Sequence, residues 1–144
     1  MNWKKEATEK LQRLGAMRQA LHSIPEELAR LEAEATQIRS STRTDIRISG
    51  GTGREDVLLS NLVHRQELEH LHHQTHRWVS TVEAALDTLA VDEQRILELL
   101  FVYPKPGSLD TVCAELSIEK SSVYRRRDLA LRRFTVALYG CEES

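Results

Sequence analysis

The stretch Leu109–Arg126, LDTVCAELSIEKSSVYRR, decides the fold of the chain around it. Its apolar residues are spaced for a short helix, a tight turn and a second, cationic helix. Val112 and Cys113 set an apolar and a small side chain together inside the first helix. Leu116 and Ile118 bracket a turn at Ser117, and Val123 anchors the helix that follows. Two helices with these spacings cross steeply around a small shared core.

Wound at about 100° per residue from Val123, the second helix divides into two faces. Val123, Ala130, Leu131, Phe134, Ala137 and Leu138 fall on one side, and Ser121, Tyr124, Arg125, Asp128 and Arg132 on the other. Such a stripe is ordinarily the solvated face of an amphipathic helix. The charge argues otherwise. From Glu119 to Phe134 six cations (Lys120, Arg125, Arg126, Arg127, Arg132, Arg133) meet two anions (Glu119, Asp128), a local net of +4 in a chain whose formal charge is −2. Cations gathered on one helix of an otherwise acidic chain point to a polyanion. Arginine forks onto a guanine edge or a phosphate, and hydroxyls bond phosphate oxygens, so double-stranded DNA is the expected partner. Arg127, about 40° from Val123 on the same wheel, is placed for an internal ion pair.

At 144 residues the chain can bury one core, or a small domain plus an extended element. Aromatics at 5% and charged residues at 29% suit long exposed helices better than a compact α/β enzyme. No apolar run approaches the roughly 20 residues that span a bilayer, and residues 1–10 hold no apolar signal core. No membrane association and a cytoplasmic location are therefore expected. Cys113 and Cys141 are too few to staple a fold, and Cys113 reads as a packing residue.

Trp3, Ala7, Leu11, Leu14, Arg18 and Leu21 outline a first helix. Ser23-Ile24-Pro25-Glu26 then has the form of a helix start, with proline in the first turn, and Ile24, Leu28, Leu31, Ala35 and Ile38 follow at steps of four, three, four and three. Residues 1–39 are accordingly expected as a helical hairpin whose second arm calls for a partner helix. Residues 40–53, rich in Ser, Thr and Gly, read as a flexible linker; no Gly-Lys-Ser/Thr follows the glycines, which argues against a phosphate loop. Thr52 and Glu55 offer a capping pair for a long amphipathic helix over 54–89, striped by Leu68, Leu71, Thr75, Trp78, Val82 and Ala85, with Val79, Leu86 and Leu89 widening the stripe. A rod of about 50 Å needs a helical partner, either the N-terminal arm folded back or a second copy of the chain; a homodimer is the expectation.

Five histidines lie on that helix. His72 and His76, with Glu69, share a face, but they mostly flank the seam and lack the order His-Glu-x-x-His, so no metal is expected. Nothing resembles catalytic equipment or a cofactor site, and a non-enzymatic role follows. Beyond Leu89, Asp92 reads as the N-cap of a helix ending at Phe101, Pro104, Pro106 and Gly107 stiffen the connection, and Ser108 reads as the next cap.

Leu89, Asp92, Glu93, Arg95, Ile96 and Leu97, followed by Val112, Cys113, Leu116, Ile118, Ser121, Ser122, Val123, Arg126, Ala130 and Leu131, resemble region 4 of bacterial sigma factors. The ending from Val123 to Gly140 is similar to small phage-encoded late-transcription regulators of the ArpU/RinA type, which also set a helical N-terminal part before a sigma-like reader. The resemblance covers about the last 55 residues. It implies a helix-turn-helix DNA-binding domain over 90–140, in which Lys120, Ser121, Ser122, Tyr124, Arg125 and Arg126 meet DNA and Arg95 holds a phosphate; Arg132 joins them from the helical wheel. Ser117 stands where the family usually has glycine, and Glu119 where it usually has a capping serine. Residues 1–83 contain only Trp3 and Trp78 as aromatics, which favours a regulator over a complete sigma factor with its aromatic-rich melting region. Two alternatives stand beside this: a module docking on RNA polymerase or a sigma factor without touching DNA, and a structural coiled-coil phage protein.

Overall fold

A computed structural model describes residues 2–41 and 53–141. The chain is all-α, as its periodicities predict: α1 (Trp3–Ser40), α2 (Arg54–Asp87), α3 (Val91–Leu97) continuing into a π-helical segment (Glu98–Val102), α4 (Ser108–Leu116) and α5 (Lys120–Tyr139). No helix among the described residues is long and apolar enough to cross a membrane. The chain divides into two compact units, Met1–Arg18 with Arg77–Ser144, and Gln19–His76. Most of the stretch read as a linker, residues 42–52, lies outside the described residues, as does Thr52 of the expected capping pair.

The expected N-terminal hairpin is corrected: α1 is one helix and runs through Pro25. Proline has no N–H to give the Leu21 carbonyl and costs about 3 kcal/mol inside a helix. Here Pro25 is exposed, while the preceding Ile24 is buried, so the apolar seam continues across the proline. Seam burial outweighs the lost bond, and the Ser23 hydroxyl donates back to the Ala20 carbonyl (3.5 Å) instead of capping a new helix.

In the unit Gln19–His76, Ile24, Leu31 and Ala35 are buried, and Leu28 and Ile38 half-buried, which is the spacing the sequence predicts. The partner is α2 of the same chain. Asn61 is buried in the seam, its Nδ2 donates to the Leu31 carbonyl (2.9 Å), and its Oδ1 accepts from Arg65 Nε (2.8 Å). Arg54 Nη2 donates to the Arg39 carbonyl near the other end of this pair. The seam of α2 here runs through Leu58, Asn61, Arg65, Leu68, His72 and Thr75 at steps of three and four, all buried or half-buried. Leu71, expected in the stripe, is 48% exposed. A polar seam fixes register better than it stabilises, because each buried polar atom must find its own partner.

In the other unit, Ala7, Leu11 and Leu14 of α1 are fully buried, as are nearly all of Val79, Val82, Ala85 and Leu86 of α2. Val82, expected to bury against a second copy, is thus covered within one chain. Trp78 is half-buried, with the Arg13 guanidinium 5.4 Å from its ring centre. Gly15 lets α1 approach the end of the π segment: a Cβ there would lie 3.0 Å from Tyr103 Cε1 and 3.2 Å from the Val102 carbonyl oxygen. Arg18 Nε donates to Glu83 (2.8 Å) and its Nη1 to Glu98 (3.3 Å) and the Tyr103 hydroxyl (3.2 Å). At the C-terminal end of α5, the Trp3 and Tyr139 rings pack at a tilt of 35° with centres 4.8 Å apart.

Candidate nucleic-acid interface

A small core of Ile96, Val112 and Val123, one residue from each of three helices, sets the geometry of α3, α4 and α5; Leu99, Leu100, Leu109, Cys113, Leu116 and Ile118 pack around it. Cys113 is therefore a half-buried packing residue, as its neighbours in sequence suggest. Two expected caps are corrected. The residue preceding α3 is Ala90, whose N–H is taken by the Glu93 carboxylate (3.2 Å), and Asp92 stands in the first turn instead. Gly107 (φ 83°) precedes α4, and the Ser108 hydroxyl turns back to accept the Lys105 N–H (2.8 Å). Both shifts have one cause: a first-turn carboxylate or hydroxyl reaches an N–H outside the helix while the true N-cap contributes only its backbone.

α4 ends at Ser117, the one non-glycine among the described residues with positive φ (55°, ψ 46°), and the N–H groups of Ser117 and Ile118 both reach the Cys113 carbonyl. This left-handed residue closes the last turn and sends the chain into α5. Glu119 (φ −78°, ψ 160°) gives its carbonyl to the Val123 N–H (3.0 Å) without a side-chain cap. α5 then runs for 20 residues to Gly140 (φ 75°).

The buried side of α5 is Val123, Ala130, Leu131, Phe134 and Thr135, the last with its hydroxyl donated to the Leu131 carbonyl (2.7 Å). Ala137, expected in the core, is exposed, and Leu138 is half-buried. Leu131 is buried as predicted, while burial of Thr135 in place of Ala137 turns the core arc by roughly 20°, counting about 100° per residue. Arg125 and Leu129 stand most nearly opposite the core, and with Ser122 and Arg126 they line one shallow open depression. Leu129 carries no polar or charged signal of a contact residue in the sequence, although it stands i+7 from Ser122 and i+4 from Arg125, outside the core arc.

The other predicted site residues are distributed around this strip. Ser121 and Arg132 are exposed on the flank nearer Tyr124. Tyr124 is 43% exposed, but the Arg127 guanidinium lies over its ring at 5.0 Å while Arg127 pairs with Asp128 (3.0 Å). Arg127 thus makes the internal pair expected of it. Arg125 Nη2 donates to the Ser122 hydroxyl (3.3 Å).

Several cations meet acids from the bracing helices: Arg126 to Asp92 of α3 (3.8 Å), Lys120 to Asp110 of α4 (3.8 Å), and Arg133 to Glu93 of α3 (2.8 Å). Glu93 is buried; its Oε1 takes both Arg133 and the Ala90 N–H, and its Oε2 accepts no hydrogen bond among the described residues. Arg95 holds Glu115 of α4 bidentately through Nε (2.8 Å) and Nη2 (2.9 Å). Those hydrogen bonds keep the Glu115 carboxyl below the usual carboxylate range and push Arg95 up. A phosphate at Arg95 would have to use Nη1, the side of the guanidinium outside this pair.

Among the described residues no group of His, Cys, Asp and Glu is arranged to hold a metal ion; His72 is half-buried in the seam, and His64, His70, His73 and His76 are exposed. What the strip offers chemically is hydrogen-bond donors and positive charge on a convex helix surface. Compared with protein families, with curated proteins and with solved structures, the chain finds no match in any of the three.

Proposed function

We propose that this chain is a non-enzymatic, sequence-specific regulator of transcription, phage or prophage in type, that reads double-stranded DNA with α5. One observation carries the reading: the face of α5 turned away from its core is a strip of Ser122, Arg125 and Arg126, flanked by Ser121 and Arg132, on a helix braced by α3 and α4. A helix packed on one side, with forked donors on the other, suits insertion into a major groove, where arginine distinguishes guanine and hydroxyls find phosphate. The resemblance to sigma region 4 supports the same assignment, with Lys120 and Tyr124 at the edges of the contact. The action is cytoplasmic and needs no cofactor.

A dimer is the form in which so small a reader gains a full site. The seam residues Val79, Val82 and Leu86 are used within the chain. The interface therefore falls to apolar residues of α2 that remain exposed, among them Leu59 (59%), Leu62 (41%) and Val63 (44%).

The test is retention of duplexes from a pool of genomic or random fragments, at low and at physiological salt. Enrichment of one sequence, with affinity falling steeply as salt rises, is the expected result. Arg125→Ala should then weaken binding by about 1–3 kcal/mol and relax preference at one position. Failure to retain any duplex at low salt refutes the proposal. Docking on RNA polymerase is the second reading, and Val91, 79% exposed beside Asp92 at the start of α3, favours it. It predicts that Arg125→Ala is silent while Val91→Asp is not.

A further inference from the structure

We infer that Leu129 is a base-reading residue of the α5 face and that it recognises the 5-methyl group of a thymine. The inference rests on the DNA-reading role proposed for α5 and adds to it a named chemical target. Leu129 is 42% exposed, although α5 buries Val123, Ala130, Leu131 and Phe134 on its other side. It stands one turn beyond Arg125 and Arg126 and two turns beyond Ser122, and the four share one depression. Every other side chain of that depression is a hydrogen-bonding group. A large apolar side chain kept there has no partner within the chain's own core, because the core lies on the opposite side of the helix.

The major groove, with base edges on its floor and phosphates along its rims, supplies what such a strip matches. Guanine offers two acceptors to a forked guanidinium, phosphates accept from serine hydroxyls, and thymine alone among the bases carries an apolar group, its 5-methyl. A leucine flanked by two arginines therefore fits a thymine neighbouring the bases that the arginines touch. Val136, 44% exposed, lies two turns further along α5 near Gly140, away from the N-terminal half by which recognition helices enter the groove, and is not part of this contact.

The experiment uses the full chain. A site is first selected from random duplexes, and each thymine in it is then replaced singly by deoxyuridine, which deletes the 5-methyl and leaves every hydrogen bond in place. Wild type, Leu129→Ala and Arg125→Ala are titrated against the set. One replacement should weaken wild type about fourfold, the equivalent of roughly 0.8 kcal/mol for one methyl-sized group, and should leave Leu129→Ala unchanged while Arg125→Ala still feels it. Leu129 is exposed, so the variant should retain wild-type helicity and melting temperature, which circular dichroism checks.

Wild-type indifference to every deoxyuridine overturns the inference, while a selected site bound in a salt-dependent way keeps the DNA-reading role intact. A loss of equal size in Leu129→Ala also overturns it, by assigning the methyl to another residue. If no duplex is retained at all, the DNA-reading role falls and this inference falls with it.

Discussion

Replacing Ser117 by glycine should stabilise the protein, and the structure supplies the size of the effect. Ser117 sits at φ 55° and ψ 46°, the left-handed region, where its Cβ crowds the following carbonyl. That conformation costs an L residue roughly 1–2 kcal/mol. Glycine removes the cost but enlarges the unfolded ensemble, which returns about 0.4–1 kcal/mol. The net gain is about 0.5–1 kcal/mol, because the Ser117 side chain is exposed and takes no packing with it. For a chain of this length that is a rise of roughly 2–4 °C in melting temperature. The converse change, Ser117→Val, places a β-branched residue in the same region and should destabilise by more than about 1 kcal/mol. Both are measured by thermal and urea unfolding followed by circular dichroism at 222 nm, a far-ultraviolet helix signal. A drop in stability for Ser117→Gly, or no loss for Ser117→Val, would refute a left-handed joint between α4 and α5, and with it the crossing geometry that presents Arg125 and Leu129.

Phe134 is fully buried on α5, so Phe134→Ala should cost about 3–5 kcal/mol in urea unfolding; a loss under about 1 kcal/mol would show that α5 does not pack by this face. Gly15→Leu must push against the Tyr103 ring and the Val102 carbonyl, and the clash should outweigh the roughly 1 kcal/mol gained in helix propensity, lowering the melting temperature; a higher one would mean that α1 does not approach the π segment this closely. The Arg95–Glu115 pair depresses the Glu115 carboxyl in the folded state, so its contribution is present above the unfolded value of about 4.3 and lost as pH falls through the lower folded value. Thermal unfolding of Glu115→Gln should therefore differ from wild type above the unfolded carboxylate range and converge with it as pH falls through the lowered folded value; a gap that persists in acid would assign the effect to something other than charge.

The helical class and most helix bounds were legible because they depend on local period: α2 ends within two residues of its predicted limit at Leu89, and Ile24, Leu31 and Ala35 are buried as their spacing predicts. What misled was signal that tertiary packing overrode. Ser23 to Glu26 carry every mark of a helix start, yet the chain keeps its seam and absorbs the proline. On α2 the apolar pattern runs the stripe through Leu71, which is exposed. The packed register keeps Leu68 and Thr75, as their spacing predicts, and adds Asn61, Arg65 and His72, polar residues whose place in a seam becomes visible only once Asn61 is seen bonded to the Leu31 carbonyl. On α5 the apolar pattern predicts Ala137 in the core and leaves Thr135 out of it. Thr135, buried with its hydroxyl turned onto the Leu131 carbonyl, shifts the core arc, and Leu129 comes to stand nearly opposite it.

That rotation also changes what the cations of α5 are prepared to do. A helix with so many arginines would repel itself and its surroundings if left uncompensated, and α3 and α4 place Asp92, Asp110 and Glu93 beside Arg126, Lys120 and Arg133. The first two pairs, at 3.8 Å and with all four side chains largely exposed, are weak by distance and by solvent screening, worth about 0–1 kcal/mol each. A phosphate can replace such an acid at small cost. The third is different in kind. Glu93 is buried, binds the Ala90 N–H as well as Arg133 through one oxygen, and cannot release the arginine without leaving a buried carboxylate that has no countercharge and only the Ala90 N–H as partner. Arg126 and Lys120 are therefore the exchangeable cations and Arg133 the fixed one. The division falls along the helix: the exchangeable charges lie in the N-terminal turns beside Ser121, Ser122 and Arg125, and the fixed charge anchors the helix behind them.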